Sequence, residues 1–166
     1  MARFADLPTV ETSVVVNAPP ERIWPLITDV NFPSCFSDEF QGGEWLDAGP
    51  ALGARFVGRN SNAFIGEWET ISTVDVFDPK RSFGYLVGDP ASPGARWRYD
   101  IEPLAEGGMR VAMRAEMGPG RSGVTLLIHH NPEMEEQIVS ARLGEWRKNM
   151  EAVLAGIKAS AEGGSC

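Results

Sequence analysis

Cysteine, histidine and tyrosine are scarce in this chain of 166 residues, with two of each. Two cysteines, Cys35 and Cys166, cannot make a disulfide framework. The two histidines, His129 and His130, are neighbours in sequence. They cannot supply the three or four convergent ligands a metal needs, and no H-E-x-x-H or C-x-x-C spacing occurs. No metal and no cofactor is therefore expected. A G-x-S-x-G elbow is also missing, because Ser122 is followed directly by Gly123, so nothing supports a serine hydrolase. No stretch approaches 18 apolar residues, which excludes a membrane-spanning helix. The segment from Met1 to Val10 carries Arg3, Asp6 and Pro8 without an apolar centre, unlike a signal peptide. The default expectation is a cytoplasmic protein. Basic charge is short as well: 15 Lys and Arg stand against 23 Asp and Glu, a net charge of −8. A chain this acidic, with a pI near 4.8, repels phosphate. No nucleic-acid partner is expected, and its whole-chain charge disfavours an anionic membrane.

The rest of the composition is that of an ordinary globular protein, 43% apolar and 23% charged. Length favours one domain, and no repeat or linker divides the chain. We expect an N-terminal extension over 1–10, a single domain over 11–160 and a flexible tail over 161–166. The β-branched run from Thr12 to Val16 predicts a strand. Asn17-Ala18-Pro19-Pro20 stops it and opens a short helix with Glu21 near its positive end and Ile23, Trp24, Leu26 and Ile27 as its apolar face. Pro25 fits there only in a first turn or at a kink. A loop-like segment follows from Asn31 to Asp38.

Period-two alternation then dominates. Phe56, Gly58 and Asn60 share one strand face. Trp68, Thr70, Ser72, Val74 and Val76 share another, and Phe83, Tyr85 and Val87 a third. Trp97, Tyr99 and Ile101 alternate with Arg96, Arg98, Asp100 and Glu102. Glu106-Gly107-Gly108 reads as a hairpin turn. Met109, Val111, Met113, Ala115 and Met117 then oppose Arg110, Arg114 and Glu116, so charges of the last two strands should pair across the ladder. Short connections and one wet face predict an antiparallel sheet.

The last segment predicts one long helix. Asn131 suits the N-cap, Pro132 the first position, and Glu133, Glu135 and Glu136 the first turn. An apolar stripe runs Val139, Leu143, Trp146, Met150, Val153, Ile157. From Pro132 to Ser160, at about 1.5 Å per residue, the helix would be about 43 Å long. A curved sheet cannot bury its inner face against itself. A long helix across its mouth would cover part of that face and leave a cavity between.

In this order, Val15-Val16-Asn17-Ala18-Pro19-Pro20-Glu21-Arg22-Ile23-Trp24, Gly66-Glu67-Trp68-Glu69-Thr70, Trp97-Arg98-Tyr99 with Glu106-Gly107-Gly108, Gly118-Pro119-Gly120-Arg121-Ser122-Gly123 and Asn149-Met150-Glu151 resemble a known family. The chain is similar, from about Glu11 to Glu162, to the helix-grip superfamily (SRPBCC, or START-like). That group includes lipid-transfer domains, pollen-allergen (Bet v 1-like) proteins and polyketide cyclase/dehydrases. The resemblance implies an α+β helix-grip fold: a curved antiparallel sheet of about seven strands wrapped around a long C-terminal helix, with two short helices after strand 1. It also implies a cavity for an apolar small molecule. It does not fix one reaction, because one fold hosts carriers, sensors and enzymes.

Chemical signals are few. Gly118-x-Gly120-x-x-Gly123 spells a dinucleotide fingerprint, but no strand follows the terminal helix, so it reads as a flexible lid. Asp38, Glu39, Glu44 and Asp47 form an acidic cluster between helix and sheet that reads as solvated. Cys35 reads as a small buried residue. The richest signal is the aromatic and methionine set on the inner face. The candidate ligand-binding residues are Phe56, Asn60, Trp68, Tyr85, Trp97, Tyr99, Met113 and His129. The expected partner is a hydrophobic small molecule, and the assembly a monomer or homodimer. The alternative is a cyclase/dehydrase-like enzyme, in which Tyr85, Tyr99, Asn60 or His129 moves protons or stabilises an enolate.

Overall fold

The structure is a computed structural model that describes residues 2–163. Seven strands form one antiparallel sheet in the order β1-β7-β6-β5-β4-β3-β2. They are β1 (Thr9–Val16), β2 (Phe40–Trp45), β3 (Arg55–Asn62), β4 (Gly66–Asp78), β5 (Ser82–Val87), β6 (Ala95–Pro103) and β7 (Met109–Met117). Three α-helices accompany them: α1 (Pro20–Thr28), α2 (Gly123–His130) and α3 (Glu135–Ala161). The curved sheet grips α3, which gives the α+β helix-grip fold.

Only β1 stands apart in sequence, because it must cross to pair with β7 while every later strand pairs with its successor. The hairpin between β6 and β7 turns at Gly107 and Gly108, whose φ of 98° and 80° suit glycine. Its register sets Arg96 opposite Glu116 and Glu102 opposite Arg110, and both pairs form ion pairs, at 3.5 and 3.9 Å. Arg98 lies opposite Arg114. That repulsion is relieved within each strand, by Asp100 at 3.0 Å and Glu116 at 4.0 Å.

The edge strand β1 does not stay open. Arg147 and Lys158 of α3 donate to the carbonyls of Glu11 and Val15, at 3.2 and 2.8 Å. Two cations thus occupy acceptors that another strand would use. Ahead of β1, the 3-10 turn Phe4–Asp6 is docked by the Phe4 amide on Glu135 Oε1 at 3.0 Å.

Several elements differ from the sequence reading. The acidic segment between helix and sheet contains β2. Its alternation is hidden by Gly42 and Gly43. A Cβ at Gly43 would come within 2.6 Å of the Val30 carbonyl, so close packing requires that glycine. Pro25 falls inside α1; lacking an N–H, it leaves the Glu21 carbonyl without its helical donor. The segment 31–38 holds a second short helix, the 3-10 turn Phe32–Cys35, and Cys35 is exposed rather than buried. The lid is followed by α2, which the sequence reading missed. Ser122 opens it: the Thr125 Oγ1 accepts from the Ser122 amide at 2.9 Å and donates to the Ser122 carbonyl at 2.8 Å. Asn131 closes α2 instead of capping the long helix, with its side chain donating to the Leu127 carbonyl at 3.1 Å. The 3-10 turn Pro132–Met134 then leads into α3. At 27 residues, α3 is about 40 Å long. Of the expected tail, residues 164–166 lie outside the described residues.

Candidate functional site

The inner face of the sheet and the facing side of α3 do not meet everywhere. Between them lies a cavity of about 590 Å³, within the usual size range for small-molecule sites. Its base is aromatic because successive inner positions on neighbouring strands pair side by side. Tyr85 lies opposite Trp97 and Phe83 opposite Tyr99; Tyr99 in turn lies opposite Met113. The rings interlock: Phe56 meets Tyr85 edge-on at 4.9 Å, and Phe83 stacks near Tyr99 at 6.5 Å. From the helix side, Trp146 closes on Trp97 at 5.1 Å.

Seven of the eight candidate residues line this cavity. Phe56 and Asn60 come from β3, Trp68 from β4, Tyr85 from β5, Trp97 and Tyr99 from β6, and Met113 from β7. His129 does not join them. It sits in the last turn of α2, exposed, with its ring beside that of His130 at 5.5 Å. The helix that carries it was not foreseen, and this helix turns Val124 and Leu127 toward the cavity instead.

Tyr85 and Tyr99 are the chain's two tyrosines. Both line the cavity, and Tyr99 is only 3% exposed. Burial raises the pKa of each well above the ordinary tyrosine value, and the neighbouring Tyr85 raises that of Tyr99 further. Neither hydroxyl has a hydrogen-bond partner among the described residues. Two neutral, unengaged donors thus stand in an apolar wall. Ser72, 2% exposed, and Thr70 add hydroxyls on β4.

A charged cluster occupies another part of the lining, and sequence reading missed it. Arg142 of α3 donates to both carboxylate oxygens of Glu39, at 2.7 and 3.0 Å, and to Glu145 at 2.8 Å. Asn62 of β3 donates to the same Glu39 at 2.8 Å. The Arg142 and Glu39 side chains are each 16% exposed. Desolvation works against the charged guanidinium, but the two carboxylates outweigh it, and the Arg142 pKa is raised. Arg142 also lies over the Trp146 ring at 5.7 Å. No local spacing could reveal a pair separated by 103 residues. Among the described residues no group of three or more His, Cys, Asp or Glu could hold a metal ion. No helix among them is long and apolar enough to cross a membrane.

A sequence model of the family described as "Polyketide cyclase / dehydrase and lipid transport" matches residues 8–162. The chain belongs to that family. Among solved structures, it is similar to a polyketide-cyclase-like protein of Corynebacterium glutamicum. The two share 31% identity over 93% of this chain and 91% of the other, with a TM-score of 0.64. The Zhui aromatase/cyclase from a Streptomyces species shares the fold, with 19% identity over 95% and 98% of the chains and a TM-score of 0.67. So does the di-domain ARO/CYC protein BexL, with 12% identity over 93% of this chain and 50% of that one and a TM-score of 0.70. A search of curated proteins gives no match. The polyketide cyclase/dehydrase and lipid transport family thus accounts for nearly the whole chain, and its description spans both binding and catalysis.

Proposed function

We propose that the protein binds a hydrophobic small molecule, a lipid, sterol or polyketide-like aromatic, between the sheet and α3, as a carrier or sensor. The observation that carries this reading is the cavity of about 590 Å³ with an aromatic wall and two unengaged tyrosine hydroxyls. Apolar walls supply affinity, and a few polar groups fix orientation. Phe56, Trp68, Trp97 and Met113 contribute contact area. Asn60, Tyr85 and Tyr99 offer hydrogen bonds to a ligand oxygen.

A cyclase/dehydrase reaction is the second reading, and the same hydroxyls favour it. A neutral tyrosine that donates to a carbonyl donates more strongly as that carbonyl becomes an enolate. The reaction also needs a group that takes a proton. His129, the side chain expected to do so, is exposed on α2 and does not line the cavity. The carrier reading therefore stands first.

Organic extraction of the purified protein, followed by mass spectrometry, tests it. The expected result is one apolar compound or compound class in near-stoichiometric amount. Recovery of nothing, together with no binding of a fatty acid, a sterol or an anthraquinone, would overturn it.

A further inference from the structure

Three large apolar side chains that line the cavity are also exposed, and they mark one rim of it. Phe64 (86% exposed) and Ile65 (41%) lie in the turn between β3 and β4, and Leu127 (40%) lies on α2. The two elements adjoin, because a Cβ at Gly123 would come within 2.7 Å of Ile65 Cδ1. Leu126, next on α2, is 59% exposed and does not line the cavity. Four large apolar residues thus crowd one rim.

The charge of this rim differs from that of the chain. Although the net charge is −8, residues 60–66 carry no charge, and residues 117–132 carry Arg121, His129 and His130 with no carboxylate. Acidic residues resume at Glu67 and Glu133, at the borders of the two segments. Arg121 has no ion-pair partner among the described residues. The nearest carboxylates are engaged: Glu39, held by Asn62 of this turn at 2.8 Å, and Glu145 both pair with Arg142. Arg121 is left to meet a phosphate-bearing surface beside the apolar rim.

We propose that the turn over 62–66 and α2 form a docking surface for an anionic phospholipid membrane. Phe64 and Leu126 enter the interface as apolar anchors, and Arg121 meets the lipid phosphates. This rests on reading the cavity as a hydrophobic-ligand site: the apolar lining runs out through Ile65 and Leu127 to Phe64, so a guest passes between bilayer and cavity without crossing water.

Co-sedimentation with phosphatidylcholine–phosphatidylglycerol vesicles tests the docking, with phosphatidylcholine vesicles as the comparison. The wild-type chain should bind the anionic vesicles more strongly. Phe64→Asp and Leu126→Asp should each lower the bound fraction about tenfold, and Arg121→Glu about fivefold. Circular dichroism checks that each variant is folded. Wild-type protein that ignores both vesicles would overturn the proposal, as would variants that bind as it does. So would a concentration-dependent dimer, abolished by Leu126→Asp, that forms without any vesicle binding; the rim would then belong to a second copy. Binding of a neutral naphthylamine probe in solution separates the two readings. If the probe binds and vesicles do not, only the docking falls. If the probe does not bind, the cavity reading falls with it.

Discussion

Trp97 of β6 and Trp146 of α3 face each other with ring centroids 5.1 Å apart. The contact is where sheet and helix grip one another, and both rings line the cavity. Trp146 is 6% exposed. Trp146→Ala should cost about 3–5 kcal/mol of stability, measured by urea unfolding, because the hole it leaves joins a space already present. Ligand binding should quench or shift the tryptophan emission of the wild-type chain, and Trp146→Phe should reduce that change.

The two tyrosines give the protein a pH signature. In the unfolded chain both ionise near pH 10.0, whereas in the fold burial keeps them neutral well above it. Between those values the folded state binds more protons than the unfolded state, so stability falls as pH rises. It is intact below pH 10.0 and declines by about 1.4 kcal/mol per pH unit for each tyrosine above it. Absorbance near the phenolate band should therefore appear only as the protein unfolds. Phenolate absorbance at pH 10.0 in a protein still folded by circular dichroism would contradict this.

As hydrogen-bond donors the same groups have a separable role. Tyr85→Phe or Tyr99→Phe should leave the fold in place and weaken an oxygenated ligand about tenfold, the usual worth of one hydrogen bond. A pure hydrocarbon ligand should be indifferent to either change, and a titration of both ligand types against both variants checks it.

Gly144 and Gly156 sit on the same helix in opposite circumstances. A Cβ at Gly144 meets nothing within 4 Å, so Gly144→Ala should stabilise the protein by about 0.5–1 kcal/mol. A Cβ at Gly156 would lie 2.4 Å from the Phe36 ring. Gly156→Ala should therefore destabilise, despite its gain in helix propensity, by displacing the Phe36 ring from its packing against the core. Thermal melts of the two variants should shift in opposite directions.

The Glu39–Arg142 pair ties the start of β2 to α3 beside the cavity. Glu39→Gln should cost about 1–3 kcal/mol, since it removes one of two carboxylates from a largely desolvated guanidinium and leaves it Glu145 alone. Adding Arg142→Met should recover part of that loss, and urea unfolding of the single and double variants measures the coupling.

The sheet from β3 to β7 was legible because period-two alternation survives wherever one face is wet. Seven inner-face residues could be placed on one wall from that alternation alone. The helix α3 was legible from its apolar stripe. Elements whose pattern is overridden were not. In β2 two adjacent glycines, one packed on the Val30 carbonyl, erase the alternation. At the junction of α2 and α3, Asn131-Pro132 carries a start signal that in fact closes the preceding helix, and this displaced His129 from the wall where it was expected. Glu39, Arg142 and Asn62 converge through sheet curvature, which no local spacing encodes.

The central claim is an open, ligand-accepting space between sheet and helix. Titration with a neutral naphthylamine probe, followed by energy transfer from tryptophan, tests it most directly when paired with Ser72→Phe, which places a ring in the cavity wall. The account predicts saturable binding at one probe per chain in the wild type and its loss in the folded variant. Equal binding by both proteins, or none by the wild type, would contradict it.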